Sequence, residues 1–557
     1  MNRFLLTAFT AAALLFPAST ALATPGDLDT TFSGDGVDLL DFGQQDLGHG
    51  VAIQPDGKIV VLATAVDGAG KGDFAVARLN ADGSPDETFS GDGRVHFGFS
   101  GVRQDANDRT RALALAPDGA IVVTGMTDAN SATGIDDIAV ARVTPAGELD
   151  ATFNGSGKQT IDYGQSDAAD DVAVLDDGSV VVGGTAVIGS DQDFAVARLT
   201  PSGQPDKSWS GDGRASAHFG AAEQLSGLAL TSDGGVVAAG QFQNVSTSTD
   251  TAIARFRSDG EFETTGFASG GKLVLSLGGK DHATDIAVQP DGKIVLSVTD
   301  ASPTVKPSLV ARLTPTGARD ATFGDDGVAR VPLNDSSLPI ALALAPSGRI
   351  VVTGRVSSQP NPTNFMVAEL ETDGQPDRAF GGEGFVIHDF GADETPFALA
   401  AAEDRALVVG VSVKEGNVPI AAYKLDEPSA GADPAPAPPS TPDTPQAPPQ
   451  AAPPAPDTIA PVVSKLKLKA RRGTEKGAFR LSERASVKVT VQRKVKRGRR
   501  TRLVAARTLK LTGKPGANSF KLKRLKPGSY RVTLKATDAS GNRSKAVRAR
   551  FSLKKRR

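Results

Sequence analysis

Apolar and polar positions in this chain fall into runs of five to seven residues that read as strands, and the runs recur in sets of four. In the first set they are Gly50-Val-Ala-Ile-Gln54, Lys58-Ile-Val-Val-Leu-Ala-Thr64, Asp73-Phe-Ala-Val-Ala-Arg-Leu79 and Arg94-Val-His-Phe-Gly98. Pro55-Asp56-Gly57 between the first two has the residues of a tight hairpin, and Ser90-Gly-Asp-Gly93 leads into the fourth. The hairpin centre, Asp56, returns at Asp118, Asp177, Asp233, Asp291, Ser347 and, in decayed form, Asp404, at spacings of 62, 59, 56, 58, 56 and 57 residues. A period this regular marks an array of one supersecondary unit. Four short antiparallel strands per unit, seven times over, predict an all-β protein with a seven-bladed β-propeller.

The ends of the array predict how it closes. A run of the fourth type, Val37-Asp-Leu-Leu-Asp-Phe-Gly43, stands before the first set, and none follows Ile420-Ala-Ala-Tyr-Lys-Leu425. The N-terminal strand is therefore expected to complete the last blade, which removes the two open edges of a linear array. A linear solenoid would need an atypical capping unit at each end.

Charged positions recur with the strands. Arg78, Arg142, Arg198, Arg255 and Arg312 end the third run, and Asp86, Asp150, Asp206, Glu263 and Asp320 follow. Recurrence with the fold points to one ion pair per blade rather than a ring of ligand-binding charges. Closure would bring Lys424, which has no downstream acid, to Asp29, while Glu369 and Asp377 break the pattern in the sixth copy. Ser33-Gly-Asp-Gly36 and its relatives offer one carboxylate per loop, too few for calcium, so they read as turns.

Composition divides the 557 residues into four parts. Residues 1–23, with Asn2-Arg3, an apolar run Phe4 to Phe16 and Ala21-Leu22-Ala23, have the layout of a secretory signal peptide. Residues 24–426 are the propeller, and residues 427–456 are a Pro-rich linker without hydrophobic periodicity, expected to be disordered and extended. Residues 457–557 alternate as half-exposed strands, read as a β-sandwich. No later stretch approaches the ~20 apolar residues of a membrane span. Cysteine is absent, which excludes disulfides and thiolate chemistry.

The net charge of −3 hides an asymmetry. Residues 457–557 hold 33 Lys and Arg against Asp457, Glu475, Glu483 and Asp538, a net of +29, which leaves −32 on residues 1–456. The basic module is expected to bind anionic cell-wall polymers or extracellular polyanions in a salt-dependent way, or to dock on the acidic propeller. The stacking aromatics of a sequence-specific nucleic-acid reader are nearly lacking in it.

Two resemblances extend this reading. Gly26-Asp-Leu-Asp-Thr-Thr-Phe32, Gly83-Ser-Pro-Asp-Glu-Thr-Phe89 and Gly147-Glu-Leu-Asp-Ala-Thr-Phe153, with the Gly-Asp-Gly turn, the Pro-Asp-Gly-Lys-Ile-Val hairpin and the Ala-Arg-Leu strand, resemble the delta-60 repeat family of bacterial exported proteins. The likeness spans residues 26–425 and implies a propeller-like exported or surface protein, with no agreed activity. The run Leu525 to Ser544 resembles the end of immunoglobulin-like or fibronectin III-like modules of bacterial surface proteins.

No catalytic, cofactor-binding or metal-binding residue stands out. A sialidase needs a Tyr nucleophile, but Tyr163 and Tyr423 lie in repeat strands and Tyr530 in the basic module. His49, His96, His218, His282 and His388 lack metal-ligand spacing and read as strand packing. Trp209 is the sole Trp, whereas a quinone-dependent dehydrogenase would repeat that residue. The near-invariant turns share one face, and the other carries divergent loops, Asp67 to Gly72, Ser100 to Arg109, Thr127 to Asp136, Gln243 to Thr249, Asp300 to Pro307 and Ser357 to Asn364. The expectation is a secreted, wall-associated, monomeric binding or adhesion scaffold, not an enzyme, with a protein or glycan ligand on the loop face. A carbohydrate-active enzyme, hydrolase or lyase, is the alternative, favoured by a central pocket of converging acids with perturbed acidity.

Overall fold

The computed structural model divides into two units, Met1–Asp433 and Pro434–Arg557. It describes residues 24–43, 45–99, 106–128, 135–243, 249–300, 308–333, 336–357, 363–391, 393–412 and 416–425 of the first, and 463–471, 474–481, 485–497, 500–513, 516–523, 527–537, 544 and 547–553 of the second. The signal-like segment 1–23, the linker 427–456 and the centres of nearly all the divergent loops lie outside the described residues. Among those described every regular element is a strand, and no helix is long and apolar enough to cross a membrane.

In the first unit the described strands form antiparallel sheets of four, and the chain is a β-propeller of repeated four-stranded sheets. The first sheet is Gln45–Ile53, Ile59–Val66, Gly72–Leu79 and Arg94–Phe97, in chain order, and five sheets of the same order follow. A seventh sheet orders Val37–Leu40, Val418–Lys424, Arg405–Ser412 and Glu394–Ala401, with Val37 opposite Ala421 and Leu40 opposite Val418. The second and third strands are buried on both faces, which explains their continuous apolar runs, as in Ile59 to Ala63 and Phe74 to Ala77. Each interface between sheets holds its own apolar cluster, and the one joining the seventh sheet to the first contains Phe32, Leu40, Ile59, Val61, Leu407, Val418 and Ile420.

Backbone bonds stitch each turn to the next sheet. Ser33 donates to Asp82, Ser90 to Ala146, Asn154 to Ser202, Ser210 to Asp259, Ala268 to Thr316, Gly324 to Asp373 and Gly381 to Pro25, all at 2.7–3.0 Å. The non-Gly donors up to Ala268 hold φ of 42–53°, a left-handed turn that this bond fixes in place.

The recurring Arg and acid form ion pairs in four copies. Arg78 meets Asp86 at 2.6 Å, Arg142 meets Asp150 at 3.2 Å, Arg198 meets Asp206 at 3.1 Å and Arg312 meets Asp320 at 2.8 Å. The same guanidinium reaches a carbonyl of the following sheet, Pro145 from Arg78 and Pro201 from Arg142. Burial opposes the charge of Asp86, but hydrogen bonds from Thr88, Arg78 and Lys58 hold its carboxyl well below the usual range. The fourth copy departs: Arg255 turns to Asp233 at 3.7 Å, and Glu263 accepts from Thr265 and Gly266. In the sixth copy Arg349, at the hairpin, approaches both Asp377 at 3.1 Å and Glu369 at 3.5 Å. In the seventh, Asp29 lies 3.9 Å from Lys424 and 3.2 Å from Arg405, whose guanidinium also donates to Ala81.

The second unit holds two antiparallel sheets. Val463–Arg471, Thr474–Leu481 and Gly516–Lys523 form one, and Arg500–Gly513, Ala485–Arg497, Gly528–Thr537 and Val547–Leu553 form the other. Phe479, Phe520 and Leu522 of the first meet Val487, Val489, Val491, Tyr530, Val532 and Leu534 of the second in one apolar cluster. Lys488 and Lys535 are exposed between these buried positions, and the register sets Lys488 opposite both Lys535 and Lys510.

Candidate functional site

Every first strand of the seven sheets carries a β-bulge at the same place. The register with the second strand skips His49, Arg111, Asp170, Ser226, Thr284, Ile340 and Phe397 in turn. A bulge leaves one residue out of the ladder and re-aims its side chain. All seven of these residues line a single cavity of about 200 Å³. Opposite five of the bulges Gly125, Gly184, Gly240, Gly354 and Gly410 come so near a first-strand carbonyl that a Cβ would collide with it, while Ala63 and Val298 stand there in the first and fifth sheets.

The skipped positions share no residue type, although the strands around them repeat. His49 stacks on Phe397 with ring centroids 5.2 Å apart. Burial and the Arg111 charge push the His49 imidazole down to about 4, so it is neutral at neutral pH. Burial raises Asp170 to about 7, against the pull of Arg111 and a hydrogen bond from Thr185 at 3.1 Å. Thr284 bonds to Ser297 at 2.8 Å.

Two further acids at this cavity are consumed by the fold. Asp171 accepts the amides of Val172 at 2.7 Å and Leu228 at 2.8 Å, and Asp285 those of Ile286 at 2.7 Å and Leu342 at 2.8 Å. Each thus ties its first strand to that of the following sheet. Burial raises them to about 6 and about 7. The pocket therefore has the perturbed acids that would favour an enzyme, with Asp171 and Asp285 bonded to backbone amides and Asp170 to the Thr185 hydroxyl.

A second series of acids was missed in the sequence. Asp46, Asp108, Asp167, Glu223 and Asp281 stand at or beside the start of the first strands, are buried, and accept the amide of Phe42, Phe99, Tyr163, Phe219 or Leu277 at 2.5–3.0 Å. In four of the five the signal is an aromatic or Leu, then Gly, then an acid four residues after the first, as in Phe42-Gly43 with Asp46 and Phe219-Gly220 with Glu223, whereas Asp108 follows Phe99 by nine residues. His218 lies against one of them: it is 2.9 Å from Asp193 and 3.4 Å from Glu223, a grouping that spacing hides because the three residues stand on or beside three strands of two sheets.

His96 and His388 lie in fourth strands, whereas Tyr163, expected within a strand, follows Lys158–Ile161 and packs half-buried against an apolar cluster. The Asp of each Gly-Asp-Gly turn spends a carboxylate oxygen on the turn itself, Asp35 accepting from Val37, Asp92 from Arg94 and Asp212 from Arg214 at 2.9–3.0 Å.

Repeated four-stranded sheets with their first strands around one pocket define the class, a β-propeller. Six segments, residues 54–89, 116–153, 175–208, 231–265, 289–323 and 345–380, match the family described as "Domain of unknown function (DUF5122) beta-propeller". No curated protein matches the chain. Solved structures that resemble it include the Cps50 (Swd1) β-propeller domain of Myceliophteria thermophila, with 9% identity over 69% of this chain and 97% of that one, at a TM-score of 0.36. TolB from Acinetobacter baumannii has 8% identity over 66% and 79%, at 0.31. The soluble aldose sugar dehydrogenase of Escherichia coli has 13% identity over 57% and 95%, at 0.33. Likenesses this distant say nothing of activity.

Proposed function

We propose that this chain is an exported, non-enzymatic binding scaffold: a seven-bladed propeller closed by its N-terminal strand, which seats a glycan unit in the pocket of the seven bulges. One observation carries the reading. The fold repeats a bulge seven times and fills it with seven different side chains, so the chemistry there is specific to the pocket rather than to the repeat. Stacked His49 and Phe397 offer an apolar face, with the Arg111 guanidinium, the Asp170 carboxylate and the Ser226 and Thr284 hydroxyls around it. A sugar presents the matching combination of a C–H face and hydroxyl rim. Closure is supported by the series of backbone bonds that runs from Ser33 to Gly381 and returns to Pro25, and by Arg405 donating to Ala81. The likeness to delta-60 repeats and the signal-like residues 1–23 support export.

The test is retention of the full chain on a glycan array and on immobilised wall polysaccharide. Phe397→Ala and Asp170→Asn should each weaken it at least ~10-fold while leaving the melting midpoint in place. Asp170 sheds its proton as pH rises through about 7, so retention should strengthen from about pH 6 to about pH 8. Retention indifferent to both variants sinks the reading. Turnover of a retained glycan, lost in Asp170→Asn, would favour the enzymatic alternative, which Asp170 beside Arg111 motivates.

In the same reading residues 457–557 form an immunoglobulin-like or fibronectin III-like sandwich that tethers the protein to anionic polymers. Lys488 and Lys535 are exposed directly opposite one another on neighbouring strands, an arrangement that repels itself unless an anion lies over it. The chain should bind anionic wall polymer at low salt and be released as salt rises, and Lys488→Glu with Lys535→Glu should abolish the effect. Salt-independent binding contradicts the tether.

A further inference from the structure

We propose that Asp193, His218 and Glu223 bind one divalent transition-metal ion at the junction of the third and fourth sheets. Asp193 lies in the third strand Asp191–Leu199, His218 directly follows the fourth strand Arg214–Ala217, and Glu223 lies in the first strand of the next sheet, Ala222–Leu230. His218 Nδ1 is 2.9 Å from Asp193 Oδ1 and 3.4 Å from Glu223 Oε2, and the three ligand atoms lie within 4.8 Å of one another. Ligands about 2.1 Å from a shared ion lie roughly 3.0 Å apart on an octahedron and roughly 3.4 Å apart on a tetrahedron. The separations around His218 are of that size before any ion is added.

The site is built on the inside. Glu223 is fully buried and Asp193 is 5% exposed. Glu223 Oε1 accepts the amides of Phe219 at 3.0 Å and Ala221 at 3.3 Å, which fixes the carboxyl group. Its Oε2 has no hydrogen-bond partner and is aimed at the imidazole. Two buried carboxylates this close repel unless they share a proton or a cation sits between them. A protonated His218 supplies one charge, but a divalent ion balances both acids and takes the bare oxygen as a ligand. Of the other charges nearby, Asp191 adds to the negative field, and Lys272 is occupied, donating to the His218 carbonyl at 2.8 Å and lying over the Phe219 and Phe262 rings.

The donor set selects the metal class. At the preceding junction Asp137, Asp162 and Asp167 make the corresponding group with oxygen alone, and Asp162 precedes Tyr163 as His218 precedes Phe219. Replacing an oxygen by an imidazole nitrogen in that frame shifts preference from calcium or magnesium to zinc and its surrogate cobalt.

The experiment titrates the untagged, chelator-stripped full chain with Co²⁺, read by visible d–d absorption, and with Zn²⁺ by calorimetry. One saturable equivalent is expected. His218→Ala should lose the absorption bands and at least ~10-fold in affinity, with its metal-free melting midpoint unchanged, and Asp162→Ala should bind as the natural chain does. Absence of saturable binding overturns the proposal. So does undiminished binding in His218→Ala, or loss of binding in Asp162→Ala alone.

Discussion

A chain lacking residues 24–43 is expected to lose ~5 kcal/mol of stability in its first unit, and to regain much of it when that segment is supplied as a separate peptide. The segment brings Phe32 and Leu40, buried to 0% and 2% exposure in the cluster that joins the seventh sheet to the first. Fully burying side chains of this size contributes about 1.5–3 kcal/mol each. Its loss also uncovers the edge of Val418–Lys424, whose ladder partner is Val37–Leu40. Asp29 goes as well, taking from the partly exposed Arg405 and Lys424 the acid they share, which adds roughly 1 kcal/mol. Against a typical total of about 5–15 kcal/mol, such a loss is decisive. Urea unfolding of the truncated chain, with and without peptide, measures it. An unchanged midpoint would mean that the N-terminal strand merely decorates the seventh sheet.

What could be read in the sequence and what could not follows from how each feature is encoded. The strands, hairpins and recurring ion pairs were legible because every copy restates them with the same residues at the same spacing, as in Pro55-Asp56-Gly57 and Arg78 with Asp86. Copies that solve the same problem with different residues were misread. Arg349 moves the cation from the third strand to the hairpin, so Glu369 looked like a break in the pattern when it is an exchange of partners. The pocket was invisible for a deeper reason. A bulge interrupts the two-residue period from which strands are recognised, and the residue it ejects differs in every copy. His49 and Phe397 are 348 residues apart in the chain and meet only because the first sheet packs on the seventh. The His218 group is hidden likewise, since its frame is repeated but its ligands are not.

The exchange of partners in the sixth copy makes a sharper test of the repeat than any deletion. Arg349→Ala takes from Glu369, 1% exposed, and Asp377, 4% exposed, the guanidinium that approaches both, and should cost about 3–5 kcal/mol. The second copy shows the cure: it has Ala120 soon after its hairpin, Arg142 in the third strand and Asp150 at 3.2 Å. Adding Glu369→Arg to Arg349→Ala rebuilds that arrangement, with the introduced guanidinium in the place of Arg142 and Asp377 in the place of Asp150. The double variant should therefore recover most of the loss, although each change alone upsets the charge balance. Urea midpoints at constant m value read the cycle, and the coupling between the two changes should be large and favourable. If the double variant were as unstable as Arg349→Ala, the charges would belong to their individual neighbours rather than to a position that every blade fills in one way or another.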